Sequence, residues 1–143
     1  MSPENTKKLY KRYTRLYRRK NWPMTMTCMC WGFSCGDGWF ELIDRLSMKL
    51  ETEIERQSCA GVPEGGWIVA DQVKEKFGTL RFYLSRYPLD EEASERIGKA
   101  IEAAEEESRR TCEKCGAPGR MREGGWVHVH CDKCEIAYRA EIR

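Results

Sequence analysis

The chain has 143 residues, enough for one domain with a core, or for a smaller core and an appendage held together by a metal. Charged residues make up 34%, mean hydropathy is −0.71, and the net charge is +2 with a pI of about 8.1. No apolar run approaches the ~20 residues of a membrane span, and the global charge is only weak support for nucleic-acid binding, since a dedicated nucleic-acid domain often has a pI above about 9.

Residues 3–20 read as a helix. Pro3 suits its first turn, and Leu9, Tyr13 and Leu16 recur at helical spacing with Tyr10 and Tyr17 beside them. From Lys7 to Lys20 there are eight basic residues and no acidic one. Lys8, Lys11, Arg12, Arg15, Arg18 and Arg19 are therefore candidate partner-binding residues. Such a run grips phosphates with tyrosines stacking on bases, docks on an acidic protein, or is simply a solvated face. Trp22-Pro23 ends the helix, because the residue before proline avoids the α region. Residues 21–36 look irregular, an extended segment or a short strand.

Asp37 or Ser34 is the expected cap of a helix over 38–57, where Trp39, Ile43, Leu46, Leu50 and Ile54 form one apolar face. The glycines of Cys35-Gly-Asp-Gly-Trp39 do not make a phosphate loop, since GxxxxGK[ST] is missing. Gly61, Pro63, Gly65 and Gly66 mark a loop. Trp67 to Leu84 reads as a hairpin with Gly78 at its turn, and Leu80, Phe82 and Leu84 alternate with Arg81 and Tyr83. Asp90 is the expected cap of a further helix, with Ala93, Ile97, Ile101 and Ala104 on its apolar face and an end near Arg109-Arg110. From Asp90 to Arg110 acidic residues outnumber basic ones eight to four, so the two ends of the core, 7–20 and 90–110, carry opposite sign.

Cys112, Cys115, Cys131 and Cys134 follow at once: two CxxC pairs separated by Gly116–His130. Four thiolates in this spacing suit one structural Zn²⁺ at tetrahedral corners, a closed site without a position for reacting water. A rubredoxin-like iron site uses the same ligands, and two disulfides are the bland alternative. The N-terminus has no apolar stretch that reads as an export signal, so the expected compartment is the cytosol, where thiols stay reduced. Gly116 and Gly119 fit knuckle turns, Trp126–His130 a ribbon strand, and Ile136–Ile142 a last short helix. His128 and His130 fall on one strand face, near the metal's second shell or solvent; His130 in place of Cys131 would break the CxxC symmetry. Cys28, Cys30, Cys35 and Cys59 fit no standard knuckle and read as small buried side chains. Trp31, Trp39 and Trp67 are expected in the core, and Trp126, on a unit with little interior, partly exposed as a partner-binding residue.

Three segments together carry a resemblance: Cys35-Gly-Asp-Gly-Trp-Phe-Glu-Leu-Ile-Asp-Arg-Leu46, Gln72-Val-Lys-Glu-Lys-Phe-Gly-Thr-Leu-Arg-Phe-Tyr83, and Ser108-Arg-Arg-Thr-Cys-Glu-Lys-Cys-Gly116 with Gly125-Trp126 and Cys131-Asp-Lys-Cys134. Their order resembles small zinc-ribbon proteins of bacteriophages and prophages, over roughly residues 31–135. The resemblance implies action inside an infected bacterium and supplies no catalytic residue.

The resulting expectation is an α+β protein: residues 1–110 as a helical core packed on a short antiparallel β-hairpin, with the basic helix at its start, and residues 111–143 as a four-cysteine zinc ribbon packed on that core. Only two histidines exist, and HExxH, GxSxG and P-loop patterns are missing, so no enzyme is expected. The expected function is binding to a bacterial host protein, as a takeover or anti-defence inhibitor. The alternative is a nucleic-acid binder using the basic helix with Arg120, Arg122 and Lys133. A metal-dependent nuclease ranks third. No membrane and no small-molecule substrate are expected.

Overall fold

A computed structural model describes residues 1–85 and 88–142; Arg143, the last residue of the expected ribbon unit, lies outside them. The chain is mixed α+β. Helix α1 (Pro3–Arg12) leads through turns and a short strand β1 (Phe33–Ser34) to the long helix α2 (Phe40–Cys59). The hairpin β2 (Ala70–Lys76) and β3 (Thr79–Leu84) follows, then α3 (Glu91–Ser108), then β4 (Arg120–Arg122), β5 (His128–His130) and α4 (Asp132–Glu141).

The two central helices lie where the apolar periodicity puts them. Leu42, Ile43, Leu46, Leu50 and Ile54 of α2 are buried, as are Ala93, Ile97 and Ala104 of α3. Asp90 caps α3, its carboxylate accepting from Ala93 N at 2.7 Å. α2 and α3 pack on each other, and α3 also packs on β3. β2 and β3 are antiparallel, Lys76 facing Thr79 across the two-residue turn Phe77-Gly78. The segment expected to be irregular does contribute a strand: β1 adds parallel to β2, Phe33 facing Val73, which makes a three-stranded sheet.

The expected helix over 3–20 is shorter. α1 stops at Arg12, and residues 14–22 are turns. Tertiary contacts outbid helical ones there. The backbone N–H groups of Arg15 and Leu16 donate to the Glu51 carboxylate of α2, and Leu16 O accepts from Ala70 N of the sheet. The Arg18 guanidinium donates to the carbonyls of Glu64, Trp67 and Ile68. Tyr17, wholly buried, packs with its ring 5.3 Å from that of Phe33, and its hydroxyl lies 2.6 Å from Ser47 Oγ.

Asp37 does not cap α2 with its side chain. Its carboxylate accepts from Ser2 N and Asn5 Nδ2 instead, joining the start of α1 to the turn before α2. Ser34 lies in β1, and the residue at the head of α2 is Trp39, with no side-chain cap.

The C-terminal unit is a knuckle, a two-stranded hairpin (β4–β5) and a helix. α4 begins at Asp132, four residues before the expected start, so the second CxxC pair rides on a helix rather than on a second strand turn.

Candidate metal centre

The first cysteine pair sits on a tight turn. Gly116 N donates to Cys112 O at 2.8 Å, and Gly116 takes φ +78°, a left-handed conformation that glycine adopts without strain. Cys112 N donates to Ala117 O, and Glu113 N to Val129 O, which fastens this knuckle to β5. The second pair uses the head of α4. Cys131 occupies the position before the first turn, and its Sγ accepts from Cys134 N at 3.4 Å.

The four sulfurs lie within 4.8 Å of one another. Cys115 Sγ and Cys131 Sγ are 3.7 Å apart. A disulfide holds sulfurs at about 2.05 Å, whereas metal–sulfur bonds of about 2.3 Å at tetrahedral angles put neighbouring sulfurs about 3.8 Å apart. All four cysteines are free thiols. The spacing thus fits a four-thiolate metal site and not a pair of disulfides. Before a metal enters, the thiols differ. The Cys134 N–H at the head of the helix lowers Cys131 to about 7, while burial and neighbouring thiols raise Cys134 to about 12. A divalent ion must therefore displace protons to bind.

The site is continuous with the rest of the fold. A Cβ added to Gly38 would stand 2.5 Å from Gly116 N and 2.6 Å from Glu113 O, and closer still to Cys112 O. Gly38 N donates to Glu113 O at 2.8 Å, Gly36 N to Glu113 Oε1 at 2.8 Å, and Trp39 Nε1 to Thr111 O at 2.9 Å. The glycines of Cys35-Gly-Asp-Gly-Trp39 are therefore a cradle for the knuckle, a role that their sequence spacing alone does not reveal.

The basic candidates are largely committed within the chain. Lys8 pairs with Glu4, Arg12 with Asp44 at 2.8 Å and Arg15 with Glu55. Arg18 is spent on carbonyls, and Arg19 donates to Ser85 Oγ and stacks on Trp22. Lys11 is exposed. The tyrosines cannot serve as base-stacking platforms. Tyr13 and Tyr17 are buried, and the half-buried Tyr10 donates to Met29 O. Arg120 and Arg122 both pair with Asp132.

Trp39 is buried and Trp67 half-buried, but Trp31 is 69% exposed, a correction to its expected core position: the 3₁₀ turn Met29–Trp31 sends Met29 inward instead. Trp126 is exposed, at 67%. Among the described residues Cys28, Cys30, Cys35 and Cys59 form no chelating group. Of these four, only Cys35 is buried; Cys30 and Cys59 are exposed, against the expectation of burial. A second chelating group lies elsewhere, at His128, His130 and Glu135, all buried. The sequence placed the two histidines on one face; burial decides against solvent. Glu135 was missed, and the available signal was an HxH strand followed within five residues by a carboxylate on a helix.

No protein-family model, no curated protein and no solved structure matches the chain.

Proposed function

We propose that this chain is a non-enzymatic, zinc-stapled module that acts in the cytoplasm of a bacterium by docking on a host protein, as a takeover or anti-defence inhibitor of phage type. The ion at the four cysteines is one structural Zn²⁺, since a closed all-thiolate tetrahedron suits that metal and leaves no coordination position for chemistry. The C-terminal unit is a zinc ribbon in the broad sense, its second cysteine pair carried on a helix.

The observation that carries the reading is Phe77. The turn Phe77-Gly78 has positive φ at both residues, 53° and 76°. Two-residue hairpin turns of this kind favour Asn-Gly or Gly-Gly, and a bulky residue at positive φ is a true outlier. Phe77 gains no burial in return, being 71% exposed. Strain kept at an exposed aromatic points to use at a surface. Phe77 and the exposed Trp126 line the same groove of about 420 Å³, together with Glu75, Lys76, Gly125 and Val127. Met121, 40% exposed, adjoins the same turn, its Cε 3.4 Å from a Cβ built on Gly78. An apolar patch centred on aromatic side chains is the usual centre of a protein interface. The resemblance to phage and prophage proteins supplies the bacterial setting.

The nucleic-acid alternative loses support because its arginines pair internally and its tyrosines are mostly buried. The nuclease reading finds none in a closed four-thiolate centre. Among the described residues, no helix is long and apolar enough to cross a membrane.

The test is affinity capture from bacterial lysate with the wild-type chain, F77G and W126A. The wild type should recover one stoichiometric protein that survives high salt, and each variant should weaken capture by about 30-fold or more, the scale of an interface hot spot. F77G also relieves the strained turn, so its loss of capture cannot be blamed on misfolding. Equal capture by wild type and variants, no stoichiometric partner, or binding that collapses with salt in the manner of phosphate contacts refutes the reading.

A further inference from the structure

We infer that His128, His130 and Glu135 form a second metal site, for a divalent transition ion of the zinc, cobalt or nickel class, separate from the four cysteines. His128 Nδ1 lies 2.9 Å from Trp126 O. A carbonyl only accepts, so Nδ1 carries the proton, and in the neutral ring Nε2 holds a lone pair. That lone pair faces Glu135 Oε2 at 2.8 Å. The same oxygen lies 3.3 Å from His130 Nδ1. Two imidazole nitrogens and one carboxylate oxygen thus converge in a buried place, and a cation is the natural occupant between them.

The spacing suits a metal. Bonds of about 2.0–2.1 Å to nitrogen and oxygen put neighbouring donors about 2.9 Å apart at right angles and about 3.3 Å apart at the tetrahedral angle. The surroundings also suit one. Ligating histidines usually give their other ring N–H to a carbonyl or carboxylate, and ligating carboxylates are themselves held by hydrogen bonds. Here Trp126 O takes the His128 proton, and Arg139 Nε donates to Glu135 Oε1 at 2.6 Å. Tyr138 stands edge-on to both imidazoles, with centroids 4.7 and 5.5 Å away, and fixes their planes.

The backbone explains why the three meet. His128 and His130 alternate on β5 and so share a face, and α4 turns back over that face with Glu135, Tyr138 and Arg139 at helical spacing. Unlike the thiolate centre, this one is not closed. The two histidines line a cavity of about 250 Å³ together with Glu113, Lys114, Trp126 and Tyr138. His128 and His130 face this space while Glu135 borders a neighbouring one with His128, so an ion held by the three keeps a coordination position for water or for an anionic group that the Lys114 ammonium would attract. The donor set, two imidazoles and a carboxylate, prefers ions of intermediate softness over Ca²⁺ or Mg²⁺.

The experiment uses full-length protein loaded first with one equivalent of Zn²⁺ and then titrated with Co²⁺, read by elemental analysis and visible absorption. The wild type should hold two ions per chain, the second producing d–d bands without thiolate charge transfer. H128Q should hold one, with the four-cysteine centre intact. R139A should keep the ligands but bind the second ion about 10–100-fold more weakly. One ion per wild-type chain overturns the inference and leaves an imidazolium–carboxylate pair. A second ion that persists in H128Q overturns it too. If H128Q loses both ions, E135Q decides. Loss of only the second ion in E135Q supports the site; loss of both makes the cluster a prop of the cysteine centre and refutes it.

Discussion

The contact between Gly38 and the cysteine knuckle gives the sharpest test of how the candidate metal unit is joined to the core. A methyl group at Gly38 would meet Glu113 O at 2.6 Å and Gly116 N at 2.5 Å, with Cys112 O nearer still. These are backbone atoms on a turn that the two cysteines hold in shape, so no flexible side chain can move aside. Overpacking of a tight contact costs about 1–3 kcal/mol. Displacing the knuckle also breaks the Gly38 N to Glu113 O hydrogen bond, worth about 1 kcal/mol. G38A should therefore lose about 2–4 kcal/mol, a large part of the roughly 5–15 kcal/mol of a typical domain. At about 4 °C per kcal/mol for a chain of this size, the melting temperature falls by about 8–16 °C. The same displacement should speed transfer of zinc to a chromophoric chelator. G65A is the control, because a Cβ there meets nothing within 4 Å, and it should stay within about 0.5 kcal/mol of wild type. If G38A melts with wild type and releases metal at the same rate, the knuckle is not seated on this segment and the coupling of core to metal is wrong.

Removing the metal should be felt most beyond Arg110. Structural zinc contributes about 10–16 kcal/mol of binding free energy in small modules, so C115S or excess chelator should empty the four-cysteine centre and abolish protection from proteolysis over 111–142, with α2 helicity retained by circular dichroism. Glu53 is buried on α2, where hydrogen bonds from Arg96, with Arg56 close by, hold its carboxyl below its ordinary 4.5. A depressed native value means that its stabilisation is complete above about 4.5 and is lost as pH falls through the native value. E53Q should therefore cost about 1–3 kcal/mol at neutral pH in urea denaturation, and the gap to wild type should close in acid; a gap that widens in acid would contradict the sign. G98A should raise stability by about 0.5–1 kcal/mol, because Gly98 lies inside α3 with nothing within 4 Å of an added Cβ; a loss would expose a contact not seen there.

What the sequence disclosed depended on whether a local signal or a distant partner decided the outcome. α2 and α3 were legible because their apolar faces repeat at 3.6 residues and Asp90 caps in the ordinary way. The hairpin was legible because alternation and Gly78 agree. The four cysteines were legible because thiolates must arrive in turns. The truncation of α1 was not, since Glu51, Ala70 and Arg18's carbonyl partners come from elements 35 to 54 residues away. The cradle role of Gly36 and Gly38 was hidden for the same reason, its other half being the knuckle at 112–116. Glu135 was hidden because its meaning appears only once β5 and α4 fold over each other.

The metal unit has almost no interior of its own. Beyond Arg110, the buried apolar side chains are Cys112 and Val129 alone among the described residues. Two such residues bury a few kcal/mol at most, far less than the conformational entropy of ordering some thirty residues. The remainder has to come from ligation, and from the surface that the core presents to the knuckle. That surface includes glycine backbone and one indole N–H, which meet the knuckle through hydrogen bonds. Hydrogen bonds of this kind are exchanged against water and give little net stability unless the partner is already ordered. The ion supplies that order, because it fixes the knuckle carbonyls that Gly38 and Trp39 address. Metal binding and docking should accordingly be cooperative: each makes the other favourable, and neither suffices alone.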